Sequence, residues 1–377
     1  MDDNNIYLEE PTKQNKTVIY TLLFLFGLGI GVFGAYYLIV EKGVLGHTVI
    51  NKLERDVTVT DTGIADAVEK LYDSVVVVSS IRSNRLIGSG TGFVYQVEGN
   101  KAYIITNHHV IVNATSIEVK FTNDKIYTVK LIGSDQYSDI AVLEIDKDKI
   151  VSVADIGSSE KLRLGDTAFT IGAPLTKEYA WTVTRGIISG KDRLVELRVG
   201  NAQTANFAMR VLQTDAAINS GNSGGPLANS NGEVIGVTNM KLVGSSVEGM
   251  GFAIPIEDAI QTANELRKGG SVARPILGVG TLDVSDAAAL RTQYGITLDP
   301  SITKGAVIAF IQPNSVAAEA GLKQGDVIIK LGNYEVTSSA RLKHALYRYS
   351  VGSKVDIEFI RDTKTEKINI TLSQKAN

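Results

Sequence analysis

Ten short β-like runs follow one another between Ser74 and Thr238, and they restrict the fold more than anything else in this chain. They are Ser74–Ile81, Thr91–Val97, Ala102–Thr106, Ser116–Phe121, Ile126–Ile132, Ile140–Ile145, Thr167–Ile171, Thr182–Ser189, Ala205–Gln213 and Val234–Thr238. Gly, Asn and Asp punctuate them, as turn-forming residues do between strands. Many short strands with few intervening helical patterns argue for a sandwich or barrels, not for an alternating α/β sheet. Two antiparallel barrels would hold this many strands.

The texture differs on both sides of this block. Val18 to Val40 is an uncharged, mostly apolar run. At about 1.5 Å per helical residue it is long enough for a bilayer core about 30 Å thick. It ends Tyr36-Tyr37-Leu38-Ile39-Val40-Glu41-Lys42, which is a poor signal-peptidase site, so we expect an uncleaved transmembrane helix. Lys13 and Lys16 precede the span, which places the N-terminus in the cytoplasm and the remainder of the chain outside the cell membrane. Gly27, Gly31 and Ala35 repeat at four-residue spacing, either as a helix-packing seam or because glycine is common in membrane helices. Residues 41–60 read as a tether, and Ile64–Tyr72 has helical spacing with Ile64, Val68 and Leu71 on one face. Beyond Pro255, Ile256, Ala259, Ile260, Ala263 and Leu266 form a helical stripe that Gly269-Gly270 would stop. The expected division is therefore a tail at 1–17, the span at 18–40, a linker at 41–60, a β domain at 61–268 and a small domain at 269–377.

Composition excludes several classes of chemistry. The net charge of −3 argues against nucleic-acid binding through bulk positive charge. The chain has no cysteine, so disulfides, thiolate catalysis and cysteine-ligated zinc are out. Four histidines without a metal-ligand pairing leave no metal site to expect, and nothing points to a cofactor.

A different chemistry is legible in Asn219-Ser220-Gly221-Asn222-Ser223-Gly224-Gly225-Pro226-Leu227. Glycine on both sides of a serine opens backbone angles closed to other residues and lets another chain approach. The Gly221 and Ser223 amides are then available to a developing oxyanion. Such a serine needs a base, usually histidine, and the histidine needs a carboxylate to fix its tautomer. His108-His109 follows the run Ala102–Thr106 and Asn107, so either ring is a candidate. Asp139 directly precedes the apolar run Ile140–Ile145. Each residue alone is more often an ordinary turn residue. The chain order His, Asp, Ser on an all-β background is that of chymotrypsin-like proteases, not of subtilisins or α/β-hydrolases.

Thr106-Asn107-His108-His109-Val110, Ser138–Leu143 and Gln213–Leu227 resemble the three catalytic blocks of the HtrA/Deg serine proteases. Ser89–Phe93, Thr184–Ser189 and Gly251–Pro255 are similar to further signatures of that family, and the likeness runs from about Asp61 to the C-terminus. It implies a mostly β fold: a chymotrypsin-like double β-barrel followed by one α+β PDZ domain. It assigns His109 as base, Asp139 as its orienting acid and Ser223 as nucleophile, with Gly221, Asn222 and Ser223 forming the oxyanion hole. In this family the oxyanion loop can rest collapsed until a signal arrives. Ala217, six residues before Ser223, would sit at the base of the specificity pocket, beside Ile218 and the loop Thr238–Met250. No acid stands there, so cleavage after Val, Ala or Ile is expected rather than after Lys or Arg.

Arg274–Val279 resembles the carboxylate-binding loop of a PDZ domain, with Ile276, Leu277, Gly278 and Val279 as the peptide-binding residues. The helical run Ser339–Tyr349 would form the opposite wall. The resemblance thus implies a membrane-anchored quality-control endopeptidase, a homo-oligomer (a trimer in the family), acting on unfolded or misfolded proteins. C-terminal peptides would occupy the PDZ groove. A competing possibility is a non-enzymatic peptide sensor or chaperone with a dormant protease domain. A lipase or esterase lacks the required α/β pattern.

Overall fold

The computed structural model describes residues 16–38, 62–173, 180–200, 202, 204–239 and 249–373. The tail apart from its last two residues, the linker, the last two residues of the expected span and most of the loop Thr238–Met250 lie outside them. The chain divides into two units, Met1–Thr62 and Gly63–Asn377.

The first unit contains helix α1, Lys16–Tyr36, which has no buried residue. Its mean hydropathy and length suffice to cross a membrane, a property an N-terminal signal sequence shares.

Helix α2 (Thr62–Tyr72) starts at the last residue of the first unit and lies otherwise in the second, with Ala67 and Leu71 buried. Six strands then close a barrel: β1 (Val75–Arg82), β2 (Arg85–Glu98), β3 (Lys101–Thr106), β4 (Ser116–Lys120), β5 (Ile126–Asp135) and β6 (Ile140–Asp146), in the order β1-β2-β3-β6-β5-β4. The short helix α3 (His108–Ile111) interrupts it between β3 and β4. A second closed barrel follows, built from β7 (Thr167–Gly172), β8 (Thr182–Leu197), β9 (Phe207–Thr214), β10 (Pro226–Asn229), β11 (Val234–Thr238) and β12 (Gly251–Pro255). Its order is β10-β11-β12-β9-β8-β7. Closure removes the exposed strand edges that an open sheet would present.

Inward alternation fills the first barrel with Val76, Val78, Val94, Ile104, Val119 and Leu143. Residues such as Phe93, Ile105, Phe169 and Val237 form a core shared by both barrels, and this shared packing fixes the cleft between them. Fully burying each such side chain contributes about 1.5–3 kcal/mol. Helix α4 (Ile256–Gly269) adds Ile256, Ala259, Ala263 and Leu266 to the same core and ends at Gly270, whose φ is 72°. The Gly270 amide closes the last turn on Leu266 O, as a glycine in the left-handed region permits.

The remaining elements are β13 (Val279–Asp283), α5 (Ala287–Tyr294), β14 (Ala306–Ile311), α6 (Val316–Glu319), β15 (Val327–Leu331), β16 (Tyr334–Glu335), α7 (Ser339–Tyr347), β17 (Lys354–Arg361) and β18 (Lys364–Thr371). The strands form one sheet in the order β13-β14-β15-β17-β18, with β16 on β15. Several strands differ from the sequence expectation, for physical reasons. β2 begins at Arg85, not Thr91: Gly88 and Gly90 mask the strand in the sequence, and at Gly90 close packing against Val110 and Ser223 O leaves no room for a side chain. β8 runs on to Leu197, past Ser189, because register shifts near Gly190 break its alternation. α7 stops at Tyr347, two residues early, where Arg348 caps it.

Helix α7 packs on β9 of the second barrel. His344 Nδ1 lies 2.8 Å from Ala208 O. Tyr137 meets both Phe207 and Tyr347 edge-on, with Tyr137–Tyr347 centroids 5.1 Å apart. Burial holds the His344 imidazole below its ordinary range, against the raising effect of the Ala208 carbonyl; Arg348, Arg210 and Asp258 are the charges around it. A depressed folded value means that the unfolded chain binds more protons. This contribution to stability is therefore complete above about pH 6.5 and is lost as the pH falls toward the folded value. We expect the melting-temperature advantage of the wild type over His344→Gln, followed by thermal denaturation, to shrink as the pH drops below about 6.5.

Candidate active site

Asp139 and His109 meet directly, and the loop that carries Ser223 packs against Thr91 and Thr106 of the first barrel. Asp139 opens β6 from a turn in which its φ is 53°, a left-handed conformation that aspartate tolerates better than most residues. Its side chain is buried, and four residues organise the turn. Asp139 Oδ1 accepts the His109 amide at 2.9 Å, and Oδ2 stands 2.6 Å from His109 Nδ1. Asn239 Nδ2 donates to the same Oδ2 at 2.9 Å. Asn107 Nδ2 and the His108 amide donate to the Asp139 carbonyl at 2.9 and 3.1 Å. The ring facing Asp139 is that of His109. His108 Nδ1 lies 3.0 Å from Ser134 Oγ instead.

The serine loop is held from both barrels. Thr91 N–H donates to Ser223 O at 2.9 Å, and Thr91 Oγ1 donates to Gly221 O at 2.6 Å. Gly224 N–H donates to Thr238 O at 2.9 Å, while Thr238 Oγ1 donates to Asn222 O at 2.5 Å. Gly224 has a φ of 84°, and a Cβ there would lie 2.3 Å from Thr91 O, so only glycine fits this position. Gly221 has a φ of 107°. The Asn222 amide donates to Asn219 O at 3.1 Å, and Gly221 and Ser223 flank it.

Ala217 is exposed, and its carbonyl accepts from Thr184 Oγ1 at 2.9 Å and from Asn222 Nδ2 at 3.2 Å. Ile218 is buried against Gly251, where an added Cβ would come within 2.5 Å of Ile218 Cγ1. Residues 240–248, the middle of the expected pocket loop, lie outside the described residues.

A second concavity of about 360 Å³ lies between β13 and α7. Ile276, Leu277, Gly278 and Val279 line one side; Leu342, Lys343, Leu346 and Tyr347 line the other. The loop is fixed by its carbonyls: Leu277 O accepts from Ala317 N–H at 3.0 Å, and Gly278 O from Gln312 N–H at 2.8 Å. Gly278 has a φ of 75°, with Ser315 Cβ 2.2 Å from where its own Cβ would be. Burial lowers the Lys343 ammonium below its ordinary range.

Comparison with known proteins decides the family. Residues 90–237 match the model described as a trypsin-like peptidase domain, and residues 275–372 match that of a PDZ domain. The chain is 39% identical over 330 residues to serine protease Do-like HtrB of Bacillus subtilis, covering 83% of this chain and 71% of that protein. It is also 39% identical over 304 residues to serine protease Do-like HtrA of Lactococcus lactis, covering 79% and 74%. The chain belongs to the HtrA serine proteases. Among solved structures, a serine endoprotease from Yersinia pestis matches with a TM-score of 0.61 at 30% identity, over 82% of this chain and 97% of that one. The HtrA-type protease AlgW with a decapeptide matches with a TM-score of 0.64 at 26% identity, over 83% and 99%. This HtrA protein is accordingly a serine endopeptidase carrying one PDZ domain.

Sequence reasoning missed three groups at the site. Asn239 carries no motif and is found only from its bond to Asp139. Thr91 sits in a glycine-rich stretch, yet it ties the first barrel to the serine loop. Arg274 forms a bidentate pair with Asp135, whose Oδ2 also accepts from Ser138 N–H and Oγ. The first of these yields a prediction. Asn239→Ala removes one of the neutral donors to the Asp139 carboxylate, and steady-state kinetics on an unfolded protein substrate should show kcat reduced about tenfold with KM little changed.

Proposed function

We propose that Ser223, His109 and Asp139 perform acyl transfer on unfolded or misfolded proteins outside the cell membrane. The bond pattern around Asp139 carries this reading: it fixes the His109 ring by Nδ1 and leaves Nε2 for the nucleophile. Ser223 Oγ attacks the scissile carbonyl while His109 Nε2 takes its proton. The Gly221 and Ser223 amides stabilise the oxyanion. The imidazolium returns the proton to the leaving amine, and the C–N bond breaks. Water, deprotonated by His109, then hydrolyses the acyl-serine and frees the enzyme.

Ala217 and Ile218 form the base and wall of a small apolar pocket for the residue before the cleaved bond. The loop Ile276–Val279 takes the carboxylate of a C-terminal peptide on its amides, with the peptide added as a strand beside β13 and against α7. The protease domain spans 61–268 and the PDZ domain 269–377. The span at 18–40 anchors the chain as a single pass, with the tail at 1–17 in the cytoplasm and 41–60 as tether. The protein acts as a homo-oligomer, a trimer by family likeness.

Cleavage-site mapping by mass spectrometry on unfolded β-casein tests this reading. Cuts should follow mainly Val, Ala and Ile, and the folded form of a comparable protein should be spared. Cuts dominated by Lys and Arg would contradict the pocket assignment.

A further inference from the structure

We propose that Leu86 and Ile87, on the rim of the first barrel, select an apolar residue three to four positions beyond the scissile bond. The inference rests on the proteolytic role of Ser223 given above and adds a second specificity element to it.

Strand β2 pairs with β1 from Arg85 to Phe93, but with β3 only from Phe93 onward. Among the described residues, no strand pairs with the other edge of Arg85–Gly92. The inner end of that edge lies at the nucleophile, because Thr91 N–H donates to Ser223 O at 2.9 Å. Backbone groups in an antiparallel strand alternate in direction, so Ser89 shares the direction of Thr91 and presents its N–H and C=O to the open edge. The neighbouring Gly88 and Gly90 carry no side chains, and a Cβ at Gly90 would lie 2.9 Å from Ser223 O and 2.7 Å from Val110 Cγ2. Another extended chain can lie flat along this edge.

The chemistry supplies the occupant. His109 gives its proton to the leaving amine, so the leaving half of the substrate departs past α3 and β2 rather than over the second barrel. A chain departing in that direction runs antiparallel to β2 and can pair with its edge at Ser89. At about 3.3 Å per residue it reaches the level of Ile87 three to four residues beyond the broken bond. Ile87 is the residue that the β2 bulge leaves without a partner, since Gly88 pairs with Ser80 and Leu86 with Ile81. Leu86 is 55% exposed and Ile87 46%. Two adjacent apolar side chains on an unpaired strand edge are costly in water and are covered when an apolar residue of the substrate lies against them.

The test uses the full-length protein in detergent and quenched peptides identical on the acyl side, bearing Gly-Gly or Leu-Leu at the third and fourth leaving-side positions. The wild type should prefer the Leu-Leu peptide by about tenfold in kcat/KM, and Leu86→Ser/Ile87→Ser should bring that preference to within about twofold. Ile87→Lys, which keeps an edge-compatible residue, should shift the preference toward Glu-Glu. A wild type indifferent to these positions, or variants that retain the Leu-Leu preference, would overturn the proposal. So would a changed sedimentation mass with the preference intact, which would make the rim a contact between copies. If the wild type cleaves neither peptide and Ser223 takes no fluorophosphonate, the proteolytic reading itself fails, rather than the rim.

Discussion

Ser223→Ala is expected to lower cleavage of unfolded casein by more than about 10⁵-fold while leaving the melting temperature within about 2 °C of the wild type. The serine loop is held through its backbone carbonyls and amides. Thr91 donates to the Ser223 and Gly221 carbonyls, and Gly224 donates to Thr238 O. Removing one oxygen therefore leaves the loop in place and deletes only the attacking atom. Gel densitometry against casein, beside a thermal denaturation curve, separates loss of chemistry from loss of fold. Residual turnover within about tenfold of the wild type would place the nucleophile elsewhere.

Asp139→Asn should cost about 10⁴-fold in kcat, with modest change in KM. The carboxylate accepts from both the ring and the amide of His109 and from Asn239. An amide of the same size can accept from only one oxygen. It must either turn its NH₂ toward His109 Nδ1, which forces the tautomer that can no longer take the serine proton, or leave donors on the other side facing each other. Asp139 is buried among these groups, so water does not replace the lost acceptor cheaply. Stopped-assay kinetics on a quenched peptide read the loss directly. A reduction of less than about 100-fold would mean that Asp139 orients the turn and not the imidazole.

Much of this architecture was legible in the chain because alternation and turn residues are local signals. The runs around Ile104, Leu143 and Val237 read as strands because they are short β-like runs bounded by turn residues, and all three side chains are buried. Strands that break alternation were harder to find. β2 carries a glycine at 90 because Val110 and the Ser223 carbonyl occupy the space a side chain would take, and β8 bulges near Gly190. The site residues His109, Asp139 and Ser223 were found through motif and chain order. Asn239, Thr91 and the Arg274–Asp135 pair were not, because each acts through a partner far away in sequence: Asn239 bonds Asp139, and Thr91 bonds Gly221. The Asn222 amide illustrates the same limit. Its place in the motif suggests an oxyanion donor, whereas the turn to Asn219 already uses it.

The central claim is that Ser223 is an activated nucleophile. Treating the full-length protein with a fluorophosphonate and sequencing the modified peptide by mass spectrometry tests it most directly. A single adduct on Ser223, abolished when His109 is replaced by alanine, is the predicted result. An adduct on another serine, or labelling that persists without His109, would contradict it.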